Sequence, residues 1–199
     1  MDEDARAAIL ATAADLFAGQ GYRGVTMDEI AHRRGMSKRT LYQYFASKEE
    51  IADSIVAQFV ARLGQAVDGA MAEGGSFAET FGRVLHALLQ TIQGMPIALL
   101  ADLERYLPHV FARVVQFRAQ EMERYVALLR AAQDAGEVPA AVDPELAVSI
   151  LIAAVQEAGR PEWMVRRGIG VGELFRAVER IFLYGVCGQP AGEGEDLGD

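Results

Sequence analysis

Apolar residues recur at three- and four-residue spacings along most of the chain, and nowhere in the period-two alternation of a half-buried strand. The pattern predicts an all-α fold of about nine helices. The first covers residues 4–19, with Ile9, Ala13, Leu16 and Phe17 on one face and Gly19 and Gly21 stopping it. Thr26-Met27-Asp28-Glu29 has the form of a capping box: the Thr hydroxyl accepts an amide hydrogen bond and Glu29 reaches back. It opens a short second helix that ends at Gly35, a residue type at ease in a left-handed turn. Ser37 caps a third short helix running to about 43. A second capping box, Ser47-Lys48-Glu49-Glu50, opens a long fourth helix to about 72.

Glycine and proline set the breaks that follow. Gly74-Gly75-Ser76 precedes a helix at about 76–93, and Gly94-Met95-Pro96 opens the next. Pro108 divides that one from a long helix at 109–134. Asp143-Pro144 is an N-cap with Pro at the first helical position, starting a helix to 158 that Gly159-Arg160-Pro161 ends. A Gly-rich stretch at 168–172 precedes a last helix to about 186, and the acidic, Gly-rich residues 188–199 are expected to be disordered. The domain reading is a head at 1–50, a helical body at 51–187 and that tail.

Composition excludes several classes. The 199 residues suffice for one large domain, or for a small and a medium one, and 51% hydrophobic content excludes global disorder. No run approaches 18 uninterrupted apolar residues, and Met1-Asp2-Glu3-Asp4 is acidic where a signal peptide is basic. The expectation is a cytoplasmic, nucleoid-associated protein that makes no contact with membrane. A single cysteine, Cys187, excludes an internal disulfide framework. It is either a packed small residue or a thiol that senses oxidants.

A net charge of −9 argues against nucleic acid until it is divided by region. Between residues 22 and 48 the sign reverses: Arg23, Arg33, Arg34, Lys38, Arg39 and Lys48 face only Asp28 and Glu29. Both lysines of the protein fall in this window. Acid elsewhere weakens non-specific adhesion, while a local basic patch still supplies phosphate affinity. The second and third helices, with the turn at Gly35, have the spacing of a helix-turn-helix. Leu41 and Phe45 form an inward i,i+4 pair, backed by Ile30, Ala31 and Met36; Arg39 and Gln43 form an outward one, flanked by Thr40 and Tyr42. A helix in the major groove needs that division. Arg can pair bidentately with guanine, and Gln with adenine. Thr26, Ser37, Tyr44 and Lys48 sit near helix starts, where their donors suit phosphates. Taken singly, Tyr42 and Tyr44 also fit as core aromatics and Lys48 as an ordinary first-turn charge.

The register Phe17, Gly21-Tyr22, Thr26, Glu29-Ile30-Ala31, Gly35, Ser37-Lys38-Arg39-Thr40-Leu41-Tyr42-Gln43-Tyr44-Phe45 and Ser47-Lys48-Glu49 closely resembles the DNA-binding domain of the TetR (tetracycline repressor-like) family. The resemblance covers about residues 5–55. It implies a three-helix DNA-binding head joined by the fourth helix to a dimerising, ligand-binding helical body. It further implies that Thr26, Ser37, Thr40, Tyr42, Tyr44 and Lys48 tend toward phosphates, with Arg39 and Gln43 as candidates for base contact. Lys38 and Arg33 join the DNA-contact set through their charge. The pair Arg33-Arg34 departs from the family, where position 34 is usually small; it is either added phosphate affinity or a solvated surface pair.

In the body, the helix at 144–158 is apolar nearly all round and wants burial on two faces. Leu146, Ile150 and Leu151 on it, with Leu174, Phe175, Val178, Ile181 and Phe182 on the last helix, are the expected surface of a homodimer, a four-helix bundle about a two-fold axis. Such a dimer sets two recognition helices for a palindromic double-stranded operator. By the resemblance the central helices surround an effector cavity. The candidates are Phe81, Leu85, Leu103, Tyr106, Phe111, Val114, Phe117 and Met122, with Arg118 and Gln156 as polar anchors; Trp163, in an irregular segment, either closes one end or is a surface anchor. An apolar or aromatic small molecule suits that lining, although each aromatic taken singly fits better as core.

No cofactor or metal is called for: His32, His86 and His109 are scattered, and no His/Cys/carboxylate group has ligand spacing. Gly168-Ile169-Gly170-Val171-Gly172 echoes a phosphate loop, but no strand precedes it. The function expected is therefore a ligand-responsive repressor and not an enzyme. The rival reading, a DNA-binding regulator whose body docks a protein partner with no small-molecule effector, predicts a filled core and an exposed apolar patch away from the dimer surface.

Overall fold

The computed structural model describes residues 2–93 and 97–188. Residues 94–96, expected to open a helix, and 189–199 of the expected tail lie outside the described residues. Among these, ten helices and no strand are present: α1 (Glu3–Gly24), α2 (Met27–Arg34), α3 (Lys38–Tyr44), α4 (Lys48–Ala72), α5 (Phe77–Gln93), α6 (Ile97–Tyr106), α7 (Pro108–Asp134), α8 (Pro144–Ala158), α9 (Pro161–Arg167) and α10 (Val171–Cys187). The all-α expectation holds, and most boundaries fall within a residue or two of those read from caps and breakers.

Two segments differ. Helix α1 starts one residue early because the Asp2 carboxylate accepts hydrogen bonds from the amides of Asp4 (3.1 Å) and Ala5 (3.3 Å). It does not stop at Gly19; it breaks at Gly21, whose φ of 73° and ψ of 162° only glycine adopts readily, and resumes to Gly24. The segment around Trp163, expected to be irregular, is the short helix α9. Pro161 ends one helix and occupies the first position of the next, where its missing N–H costs nothing.

Among the described residues there are two compact units, residues 2–66 with 90–93 and 97–118, and residues 67–89 with 119–188. The first has a core from α1 (Ile9, Leu10, Ala13, Phe17), α2 (Ile30, Ala31), α3 (Leu41), α4 (Ile51, Ala52, Val56) and α6 (Leu99, Leu103). Each full burial of a Val, Leu, Ile or Phe side chain among these contributes about 1.5–3 kcal/mol. The second is built on Val67, Ala70 and Val84, with Phe77 stacked on Phe81 (5.7 Å) and Phe81 on Phe182 (4.9 Å). In that unit the Gln133 amide donates to the carbonyls of Pro139 (3.0 Å) and Val142 (2.7 Å), fixing the loop that leads to the Asp143 cap of α8. No helix of the described residues is long and apolar enough to cross a membrane.

Candidate nucleic-acid interface

The geometry of α2, its turn and α3 follows from their caps. The Thr26 hydroxyl accepts from the Glu29 amide at 3.2 Å, while the Glu29 carboxylate turns aside to accept from Gln20 (2.8 Å) instead of closing the expected box. Gly35, with φ 69° and ψ 31°, takes the left-handed C-cap, and Met36 N–H closes the turn on the Ala31 carbonyl at 3.0 Å. Ser37 then caps α3 through the Thr40 amide at 3.0 Å and shares a 2.7 Å hydrogen bond with the Thr40 hydroxyl.

This local folding divides the faces of α3. Leu41 and Phe45 are fully buried, as are Ile30 and Ala31 on α2, so the helix angle is set by packing. The Arg6 guanidinium lies 4.8 Å from the Phe45 ring centroid and donates to Ser54 at 3.0 Å, tying α1 to the far side. Arg33, Arg39 and Gln43 stand exposed and make no side-chain hydrogen bond to another described residue, which leaves their donors available. Tyr42 is 46% exposed, far more than a core aromatic, and Tyr44 and Thr40 are half-buried at the flanks. Lys38 is exposed and paired with Asp28 at 2.8 Å; that hydrogen bond and charge raise its pKa.

Lys48 has a role that its first-turn position did not suggest. Its ammonium donates to the carbonyls of Tyr22 (2.7 Å) and Val25 (2.6 Å) and sits 4.3 Å from the Tyr22 ring centroid. Burial, then repulsion from Arg23, lowers its pKa. It thus clamps the α1–α2 connection to the start of α4 and keeps one donor for another acceptor. Asp102, on α6, was passed over altogether: its carboxylate accepts from the Tyr22 amide at 2.7 Å, just after the Gly21 break. Arg23 lies 5.2 Å from the Tyr106 ring, a second contact between α1 and α6.

The other candidate residues divide between the units. Leu103 and Val114 are buried in the first; Tyr106, Phe111 and Phe117 are half-buried there, and Arg118 is exposed with its guanidinium 5.9 Å from the Phe111 ring. In the second, Phe81 and Leu85 are buried, Met122 and Trp163 half-buried and Gln156 exposed, with Arg167 4.7 Å over the Trp163 ring. Of the expected dimer surface, Leu151, Leu174 and Phe175 belong to the core of the protomer, and Val178 and Phe182 are half-buried. Leu146 (60% exposed), Ile150 (60%) and Ile181 (74%) face solvent, joined by Tyr184 (76%). Among the described residues no group of three or more His, Cys, Asp or Glu is arranged for a metal ion.

Comparison with known proteins bears on the whole chain. The profile of the bacterial regulatory proteins of the tetR family matches residues 9–55, from α1 into α4. The HTH-type transcriptional regulator TcmR of Streptomyces glaucescens is 30% identical over 179 residues, covering 86% of this chain and 78% of that protein. The chain belongs to the TetR family. Over the head alone, the HTH-type transcriptional repressor KstR2 of Mycobacterium tuberculosis is 40% identical across 55 residues, 28% of each chain. A TetR/AcrR-family regulator from Thermobifida fusca has the same fold at a TM-score of 0.72 and 25% identity, covering 96% of this chain and 100% of that one. As a TetR-family member the protein is a DNA-binding transcriptional regulator, not an enzyme, with an N-terminal helix-turn-helix and a helical C-terminal region.

Proposed function

We propose that this TetR-family regulator is a cytoplasmic, nucleoid-associated homodimeric repressor, released from a palindromic operator by a small molecule with an apolar or aromatic body. The observation that carries the DNA reading is the outward face of α3, where Arg39 and Gln43 are exposed and unpaired over a helix fixed by Leu41 and Phe45. Arg39 and Gln43 contact base edges. Thr26, Arg33, Ser37, Lys38, Thr40, Tyr42, Tyr44 and Lys48 lie toward the phosphates and set the register. Residues 1–50 act as the head and 51–187 as the effector-binding and dimerising body. The dimer forms through the exposed apolar side chains of α8 and α10, since Leu146, Ile150, Ile181 and Tyr184 together are an unfavourable surface to leave in water. Effector release works by linkage: the ligand binds better to a conformation in which the two heads no longer fit adjacent grooves. Away from α8 and α10, Val115 is the one large aliphatic residue of the body that is strongly exposed among the described residues, which disfavours the rival protein-docking surface.

The test is fluorescence anisotropy with DNA from upstream of the gene, over a salt series, for wild type, Arg39→Ala and Tyr42→Ala. Salt-sensitive binding at two protomers per site, or a multiple, is expected. Arg39→Ala should weaken it by about 1–3 kcal/mol, while Tyr42→Ala weakens specific and random DNA alike. Binding no tighter than to random DNA, unchanged in both variants, overturns the reading.

A further inference from the structure

Arg124, on α7, holds two carboxylates at once. Its guanidinium donates to Glu121 Oε1 at 2.9 Å and to Asp68 Oδ1 at 2.8 Å. One positive charge therefore serves two negative ones, and neither acid has another ion-pair partner among the described residues. The imbalance does not fall on Asp68, which is exposed and solvated. It falls on Glu121, only 6% exposed, whose Oε2 is the single buried side-chain oxygen or nitrogen among the described residues without a hydrogen-bond partner. Burial raises the pKa of this carboxyl; Arg124 opposes the shift and Asp68 adds to it.

Tyr125, one turn on along the same face of α7, packs with Met71, Ala87 and Leu88 against the Val67, Ala70 and Val84 cluster. Arg124 satisfies one oxygen of this carboxylate, but the other is buried with no partner, and that costs folding free energy. That is the arrangement of a polar anchor awaiting a ligand in an apolar site.

We propose that Glu121 anchors the effector, and that the effector is an organic cation. Its ammonium group donates to Oε2 and its apolar body lies against Tyr125 and the Val67–Val84 cluster. A neutral hydroxyl would satisfy the oxygen, but only a cation also cancels the surplus negative charge, and an aromatic ring nearby favours it further. Oε2 is shielded from solvent, so a ligand reaches it only in a rearranged conformation, as linked release requires. The inference rests on the effector-responsive reading of the helical body.

The test uses full-length protein and two probes of the same shape, 3-phenylpropylamine and 3-phenylpropan-1-ol, measured by calorimetry at neutral pH. Wild type should bind the amine at least about tenfold more tightly than the alcohol. Glu121→Gln should abolish the preference, and the exposed Glu123→Gln should retain it. Glu121→Leu should melt no lower than wild type, since the carboxylate serves binding and not folding. Equal binding of the two probes, or a preference that survives in Glu121→Gln, overturns the anchor, as does a Glu121→Leu variant that melts several degrees lower. Release of operator DNA by neutral apolar compounds, with the amine silent, overturns the anchor and leaves the effector reading intact. A protein that responds to neither kind of ligand overturns both.

Discussion

Replacing Gly21 by alanine tests how the head is held to α6. At φ 73° and ψ 162° the backbone lies where a side chain costs about 1–3 kcal/mol. The new Cβ would stand 2.9 Å from Asp102 Oδ2, the oxygen that accepts the Tyr22 amide at 2.7 Å. The carboxylate must withdraw, and losing a hydrogen bond to a charged group costs about 1.5–3 kcal/mol. A stiffer unfolded chain returns about 0.4–1 kcal/mol. The net loss is about 3 kcal/mol, or roughly 6–12 °C in Tm for a chain of this size. Circular-dichroism melts of Gly21→Ala, Asp102→Ala and the double variant make the comparison a thermodynamic cycle. With Asp102 already removed, Gly21→Ala should cost only the backbone strain, leaving a coupling of about 1–2 kcal/mol. A Gly21→Ala variant within about 2 °C of wild type, or strict additivity in the cycle, refutes the reasoning.

Three further outcomes follow from the geometry. Lys48→Met removes two hydrogen bonds to the Tyr22 and Val25 carbonyls, so it should cost about 1–2 kcal/mol in a urea titration as well as weakening DNA binding; unchanged stability would return Lys48 to a purely DNA-facing role. Ile150→Arg combined with Ile181→Arg should convert a dimer to a folded monomer in sedimentation velocity, and a persisting dimer would place the interface elsewhere. Glu121 gives a pH test of definite sign. Its folded pKa is raised, so between the unfolded and folded values the native state holds more protons and stability falls as pH rises. Glu121→Gln should therefore gain Tm relative to wild type as pH climbs through that window, and a constant difference from pH 4 to 7 contradicts the burial argument.

The head was legible because its signals are local. Thr26, Gly35, Ser37 and Ser47 act on residues three or four positions away, and the Leu41/Phe45 and Arg39/Gln43 pairs divide α3 by spacing alone. Asp102 was not legible: its partner amide is 80 residues earlier, and nothing in α6 marks it out from Glu104. Periodicity found the apolar faces of α8 and α10 but not their allocation. Leu151, Leu174 and Phe175 turn to the protomer's own core while Leu146, Ile150 and Ile181 turn out, a choice made by tertiary packing. Glu121 did leave a trace, a charge seven residues after the buried Val114 and so on the inward stripe of α7. That trace gains weight only once its second oxygen is seen to lack a partner.

The outward apolar side chains of α8 and α10 also make the abundance of the protein a variable in its action. A lone protomer shows water what a pair would hide, so mass action ties the paired form to concentration. Occupancy of a two-fold operator then rises with the square of protomer concentration while single chains predominate, and only in proportion once pairs do. On the proposed pairing, the same few side chains set how steeply regulation responds to the number of molecules in the cell.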